Sequence, residues 1–151
     1  MTNPFIEHRD KVMGYYSTAY WLQGVVMALW SGSGYPVGLS NLCSTDDAHF
    51  QAFQEMVKHY RAHGENDPAF QSLVRDVQAR QREREEAEQR AVRLSAWTTE
   101  VRQVLRTLAI PPGAVDDRYG WFERNFDAGV TADAAAAAYA RSESGRQGSD
   151  A

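Results

Sequence analysis

The sequence predicts an all-α protein: a helical bundle with one long helix and a small C-terminal helical hairpin. Apolar residues recur at spacings of three and four along most of the chain, which is the periodicity of a helix face. Helix start and stop signals punctuate the chain, and no segment shows a convincing strand pattern. The stretch between Pro68 and Pro111 contains no glycine or proline, which favours one uninterrupted helix.

Composition is that of an ordinary globular protein with one domain. The chain has 151 residues, of which 43% are hydrophobic and 24% charged, enough for a real core. Its net charge of −4 does not favour nucleic acid as a partner. The one cysteine, Cys43, excludes an internal disulfide and fits a reducing compartment. Because the start of the chain lacks the pattern of a secretory signal, we expect a cytoplasmic protein.

The first predicted helix runs from Phe5 to about Trp30. Asn3 and Pro4 precede it, a capping side chain followed by a proline at the first helical position, where its missing N–H costs nothing. The glycine- and serine-rich residues 31–34 end the helix and begin a loop.

Residues 12–45 contain no charged side chain. Such a run can be a membrane span, a buried helix or a binding surface. A membrane span is disfavoured, because the strongly apolar part is shorter than the roughly twenty residues that a bilayer requires. A buried central helix is favoured, because a helix that is apolar all round packs inside a protein. A binding surface is compatible with this, since tyrosine and tryptophan are enriched in binding hot spots. The predicted partner-binding residues are Tyr15, Tyr16, Tyr20 and Tyr35.

A second helix is predicted to start at residues 44–47, where Ser44 or Thr45 caps it, and to end at Gly64. Asp67 and Pro68 then open the long helix, which extends to about Leu108 and would measure about 60 Å. Its two ends are amphipathic, and its middle, residues 78–90 (the polar waist), is polar on every side. The first end is expected to pack on the N-terminal helices and the second on the C-terminal hairpin. Three side-chain pairs spaced four apart are expected to support the waist: Arg82–Glu86, Arg84–Glu88 and Glu86–Arg90.

A homodimer is also predicted from the long helix. A rod of about 60 Å is long for a compact domain of this size, so a second copy would cover the end that otherwise projects. The predicted dimer interface consists of Trp97, Val101 and Leu105.

Pro111 to Gly113 end the long helix, and a short helix with one apolar face follows. Thr131 caps a last, alanine-rich helix that runs to about Arg141. The predicted domains are residues 1–110 (bundle with the long helix), 111–141 (hairpin) and 142–151 (disordered tail, because it has no apolar residue to anchor it).

The C-terminal hairpin has the outline of a helix-turn-helix. Its second helix, however, offers Asp133 and alanines, whereas base edges are read by side chains such as Arg, Asn or Gln. A plain hairpin is therefore favoured, and a DNA-binding accessory or regulatory protein is kept as the alternative function.

No enzyme-like constellation emerges from the sequence. His59 and His63 are spaced for a shared metal, but the glutamate of the HExxH metalloprotease motif is missing. Cys43 would need a base such as His49, and a lone cysteine is more often a packing residue. The glycine-rich loop after residue 31 lacks the ending of a phosphate-binding loop.

The sequence thus predicts a non-enzymatic protein–protein interaction module: an adaptor, inhibitor or assembly factor. We expect a protein partner, with no catalytic residue, metal, cofactor or membrane involved.

Overall fold

A computed structural model describes the backbone of residues 2–147 and the side chains of residues 2–144. It confirms the all-α prediction, with no strand among the described residues. Two short 3-10 turns, Gly32–Gly34 and Leu39–Ser44, connect the third and fourth α-helices. The α-helices are α1 (Pro4–Glu7), α2 (Arg9–Val12), α3 (Ser17–Ser31), α4 (Asp47–His63), α5 (Pro68–Thr107), α6 (Ala114–Asp117), α7 (Tyr119–Asp127) and α8 (Ala132–Gln147).

The chain divides into two compact units, Met1–Arg84 and Glu85–Ala151. The long helix α5 supplies residues to both, whereas the predicted domain boundary followed the proline break after residue 110. Each unit has its own hydrophobic core. The first apolar end of α5 joins the N-terminal core and the second end joins the C-terminal core, as predicted. From α5, the first core contains Phe70, Leu73, Val74 and Val77, and the second contains Val101 and Leu105.

The helix α3 is the buried centre of the first unit, as the uncharged run predicts. Its residues Leu22, Val26 and Met27 are fully buried, and they share a core with Phe5 and Met56. No helix among residues 2–147 combines the length and apolar character that a bilayer span requires.

The prediction of one continuous helix from Phe5 to Trp30 is wrong, because the chain breaks before α3. Residues 13–16 leave the helical path, and Tyr16 is extended, with φ −140° and ψ 163°. Two side chains donate hydrogen bonds to the backbone carbonyl groups that lose their helical partners at the break. Gln23 Nε2 donates to the Val12 carbonyl at 2.8 Å, and Arg80 donates to the Met13 carbonyl. A buried carbonyl without a partner would be costly, so these two bonds stabilise the break.

The caps of α4 and α5 show how local chemistry sets helix starts. The predicted hydroxyl caps of α4 are wrong, because the hydroxyl groups of Ser44 and Thr45 donate to the Asn41 carbonyl instead. Asp46 caps α4, accepting from the His49 backbone N–H at 3.0 Å. A carboxylate is both a capping acceptor and a favourable charge at the positive end of the helix dipole.

In the second unit, the predicted short helix is divided into α6 and α7, because Arg118 between them departs from helical geometry (φ −123°, ψ 29°). The hydroxyl group of Thr131 accepts from the Ala134 N–H at 3.3 Å, which confirms the predicted cap of α8. That helix continues to Gln147, six residues past the predicted end, into the segment expected to be disordered. Residues 148–151 of the predicted tail lie outside the described residues.

The polar waist is stabilised differently from the prediction. Among the described residues, none of the three expected pairs within α5 forms an ion pair. Instead, Arg90 donates to the carboxylates of Asp127 at 2.7 Å and Glu123 at 3.0 Å, both on α7. These hydrogen bonds raise the pKa of the Arg90 guanidinium above its ordinary value. The waist arginine therefore joins two helices of the second unit.

Candidate functional site

The break between α2 and α3 brings together three of the four tyrosines predicted to bind a partner. Tyr15 and Tyr16 lie in the break and Tyr20 follows in the first turn of α3; we call these three residues the tyrosine face. Tyr15 is 77% exposed and Tyr16 is 42% exposed. Tyr35 lies apart, at the end of a 3-10 turn, and no described hydrogen bond or ring contact joins its side chain to the other three.

Two arginines of the polar waist lie against the tyrosine face. The guanidinium carbon of Arg80 is 4.2 Å from the centroid of the Tyr15 ring, and that of Arg84 is 4.4 Å from the Tyr20 ring. These distances are typical of cation–π contacts. Arg80 also donates to the carbonyl group of Met13. The arginines are four residues apart and so share one face of α5. From that face they contact the exposed ring of Tyr15 and the half-buried ring of Tyr20.

Tyr16 belongs to a chain of three polar side chains, which we call the Asp46–His49–Tyr16 relay. The Tyr16 hydroxyl oxygen lies 2.8 Å from His49 Nε2, and His49 Nδ1 lies 2.6 Å from Asp46 Oδ2. The His49 side chain is 16% exposed. Hydrogen bonds from the His49 side chain and backbone lower the pKa of the Asp46 carboxyl. Asp46 is therefore a carboxylate near neutral pH, and it orients the imidazole towards Tyr16.

A glycine makes room for this arrangement. A Cβ atom on Gly14 would lie 2.3 Å from Cε1 of the Tyr16 ring, which is closer than van der Waals contact allows. The ring of Tyr16 can therefore fold back over the break and reach His49 only because residue 14 has no side chain.

Sequence reasoning did not identify Arg80, Arg84 or His49 as partners of the tyrosines. The spacing of Asp46 and His49 at a helix start signals their local contact. Tyr16, in contrast, is 33 residues from His49 in the sequence, and no local sequence pattern predicts that contact. The sequence offers His49 as a base for Cys43, but the described hydrogen bonds of the His49 side chain go to Tyr16 and Asp46.

The predicted dimer residues lie inside the second unit. Val101 and Leu105 are fully buried, among Val115, Phe122 and other residues of the same core. Trp97 is half-buried and its Nε1 donates to the Val130 carbonyl at 2.9 Å. This chain therefore covers Val101 and Leu105 with its own hairpin, and neither offers area to a second copy. Dimerisation itself stays a prediction.

His59 and His63 form part of a cleft between α1 and α4. Their ring centroids are 4.2 Å apart, and His59 Nε2 lies 3.0 Å from Asp67 Oδ2. Within residues 2–147, no group of three or more His, Cys, Asp or Glu side chains is placed to hold a metal ion. The cleft has a volume of about 710 Å³ and is lined by Thr2, Asn3, Pro4, Glu7, Glu55, Lys58, His59, Ala62 and His63.

The tyrosine face combines exposed aromatic rings, guanidinium groups and hydroxyl tips. Tyrosine and arginine are among the residues most enriched in interface hot spots, because they bury much area and still offer hydrogen bonds. Comparisons with protein-family models, with curated proteins and with solved structures gave no match to this chain.

Proposed function

We propose that this chain is a non-enzymatic protein–protein interaction module, an adaptor, inhibitor or assembly factor, whose protein partner binds the tyrosine face. The observation that carries the proposal is Tyr15, which is 77% exposed and yet held by the guanidinium group of Arg80. A side chain that is already ordered loses less conformational entropy when a partner covers it. An exposed aromatic residue with a fixed orientation is thus suited to be a hot spot.

The chemistry of the tyrosine face defines the partner that fits it. The rings of Tyr15 and Tyr20 present apolar area, and they need a complementary apolar pocket. Arg80 and Arg84 bring positive charge beside the rings, so a partner with carbonyl or carboxylate groups around that pocket is favoured. This arrangement favours a protein surface with an apolar centre and an acidic rim.

The test is retention of proteins from the native host on the immobilised chain, followed by identification of the bound proteins. We expect a specific partner to be retained by the unmodified protein and lost with Tyr15→Ala. The control is Tyr119→Ala, which removes another exposed tyrosine, 46% accessible, from the second unit. Equal retention by both variants and by the Tyr15→Ala/Tyr20→Ala double variant would refute the tyrosine face as the binding site.

The alternative function, DNA reading by the C-terminal hairpin, has no comparable support. The start of α8 exposes Asp133 and Ala134, while Ala135 and Ala136 are buried. A carboxylate there would face the phosphate backbone with the wrong sign. Binding of labelled duplex DNA that weakens steeply with added salt would favour this alternative over the protein partner.

A further inference from the structure

The Asp46–His49–Tyr16 relay has the order of groups that activates a nucleophile: a hydroxyl, an imidazole base, and a carboxylate that orients the base. The hydroxyl–imidazole distance of 2.8 Å and the imidazole–carboxylate distance of 2.6 Å are both within hydrogen-bond reach. Binding a partner through exposed rings does not require this arrangement, so the relay calls for a separate explanation.

The relay determines where the protons lie in neutral His49. Asp46 is ionised and can only accept, so we assign the imidazole proton to Nδ1. The lone pair of Nε2 then faces the hydroxyl group of Tyr16. That hydroxyl also donates to the Lys11 carbonyl at 3.2 Å. Turning the same O–H to the nearer Nε2 of His49, at 2.8 Å, gives the orientation that general-base catalysis needs.

We propose that Tyr16 is a nucleophilic tyrosine that accepts an acyl group from activated esters, with His49 as its general base and Asp46 positioning His49. The phenol oxygen forms a bond to the carbonyl carbon of the ester as its proton passes to Nε2 of His49. The bond to the leaving group then breaks, and a 4-nitrophenolate, for example, departs with the electron pair. His49 releases the proton to water, which leaves Tyr16 as an aryl ester and the charges balanced.

The neighbouring Tyr15 is an internal control. It is more exposed than Tyr16, 77% against 42%, so simple accessibility would favour reaction at Tyr15. Its described contact is with the guanidinium group of Arg80, which cannot act as a base. Faster acylation of Tyr16 than of Tyr15 would therefore be an effect of the relay, because exposure alone predicts the opposite order.

The experiment treats the full chain with 4-nitrophenyl acetate and follows acetylation of each tyrosine by peptide fragmentation and mass spectrometry. Cys43 is an exposed thiol that would consume the ester, so the Cys43→Ser protein is the reference. We expect acetylation of Tyr16 to be at least about tenfold faster than that of Tyr15, since general-base assistance typically accelerates a reaction by about 10²–10⁴-fold. Equal rates, or faster reaction at Tyr15, would overturn the proposal.

Three variants separate base catalysis from other causes. His49→Gln keeps a hydrogen-bonding side chain without basicity, and it should lower the Tyr16 rate to that of Tyr15. Asp46→Asn keeps a capping oxygen but not the carboxylate, and a smaller loss is expected. Gly14→Ala would push the Tyr16 ring away from His49 without altering any relay residue, and it should abolish the preference as well.

Circular dichroism shows whether each variant keeps its helices. If His49→Gln unfolds, Gly14→Ala still decides the question, because the atoms that must shift are those of the Tyr16 ring itself. If folded His49→Gln or folded Gly14→Ala is acetylated at Tyr16 as fast as the reference protein is, the proposal is refuted. Because the assay needs no partner, its failure would leave the interaction proposed for the tyrosine face untouched.

Discussion

Asn3 and Asp67, the side chains that cap α1 and α5, are hydrogen-bonded to each other. The amide Nδ2 of Asn3 donates to Asp67 Oδ2 at 2.9 Å, while Asn3 Oδ1 accepts from the Phe5 N–H at 3.0 Å. Asp67 Oδ1 accepts from the first turn of α5, from the N–H groups of Ala69 and Phe70. Each side chain thus caps its own helix and also joins that helix to the other.

The same carboxylate is also bonded by His59 of α4, at 3.0 Å. Burial raises the pKa of the Asp67 carboxyl, but the hydrogen bonds from His59, the Phe70 N–H and Asn3 outweigh it, so the pKa lies below its ordinary value. One carboxylate therefore connects three helices of the first unit, and two predictions depend on it.

The first prediction concerns coupling between the two caps. Loss of a capping side chain costs roughly 0.5–2 kcal/mol, and Asp67→Ala should exceed Asn3→Ala because it also leaves His59 without its acceptor. The double variant should lose about 1 kcal/mol less than the sum, since both single variants remove the same bond. Urea unfolding measures all three. Strict additivity would mean that the Asn3–Asp67 bond contributes nothing.

The second prediction concerns pH. The pKa of Asp67 is lower in the folded state than in the unfolded chain, so its contribution to the unfolding free energy is complete above about pH 4 and disappears as pH falls through the folded value. The melting temperature of the protein should therefore exceed that of Asp67→Asn clearly at pH 6. The difference should shrink as pH falls below about 4 towards the folded pKa of Asp67, because the protonated aspartate is neutral like the asparagine. A difference that stays constant from pH 6 to pH 3 would contradict this assignment.

The third prediction concerns the second core. Leu105→Ala should lower the unfolding free energy by about 2–5 kcal/mol, because the truncated side chain leaves a cavity. The control is Val92→Ala, at a position that is 65% exposed, and it should change stability by no more than about 0.5 kcal/mol. Both are measured by chemical denaturation.

The same core bears on the predicted homodimer. Light scattering of a dimer would give twice the chain mass of 17.0 kDa. Charged residues at Val101 and Leu105 should unfold the second unit and not yield helical monomers, since both side chains are buried within one chain. A folded, helical monomer from such a variant would restore these residues to a dimer interface.

The fourth prediction concerns Gln23, which is 2% exposed and donates to the Val12 carbonyl. Gln23→Leu has a similar size but leaves that carbonyl without a partner, which should cost about 1–3 kcal/mol. Gln54→Leu, an exposed position on α4, is the matched control and should have little effect. Denaturation curves of equal midpoint for the two variants would show that the Gln23 bond does not stabilise the break.

Much of the fold follows from local sequence signals. Asn3–Pro4, Asp67–Pro68 and Gly64 mark helix ends correctly, because capping involves groups only a few residues apart. The apolar spacing in α3 and at both ends of α5 likewise identifies the faces that are buried. Such features depend on chain geometry that any helix shares, so the sequence by itself determined them.

Only part of the candidate site could be predicted from the sequence. The density of aromatic residues pointed to Tyr15, Tyr16 and Tyr20, but their partners Arg80 and His49 are distant in sequence and follow no spacing rule. The apolar face of Val101 and Leu105 was recognised correctly. Whether its own hairpin or a second copy covers such a face is not encoded in periodicity, because both would bury the same stripe.

The break before α3 was decided by tertiary structure alone. Helix propensities differ by less than about 1 kcal/mol per residue, so the sequence around Tyr16 is compatible with either a helix or a break. The bond from Gln23 to the Val12 carbonyl and the bond from Arg80 to the Met13 carbonyl favour the break. They do so because each replaces a helical hydrogen bond that the break removes. Both donors, and the His49 that holds Tyr16, reach the break only once the first unit has packed.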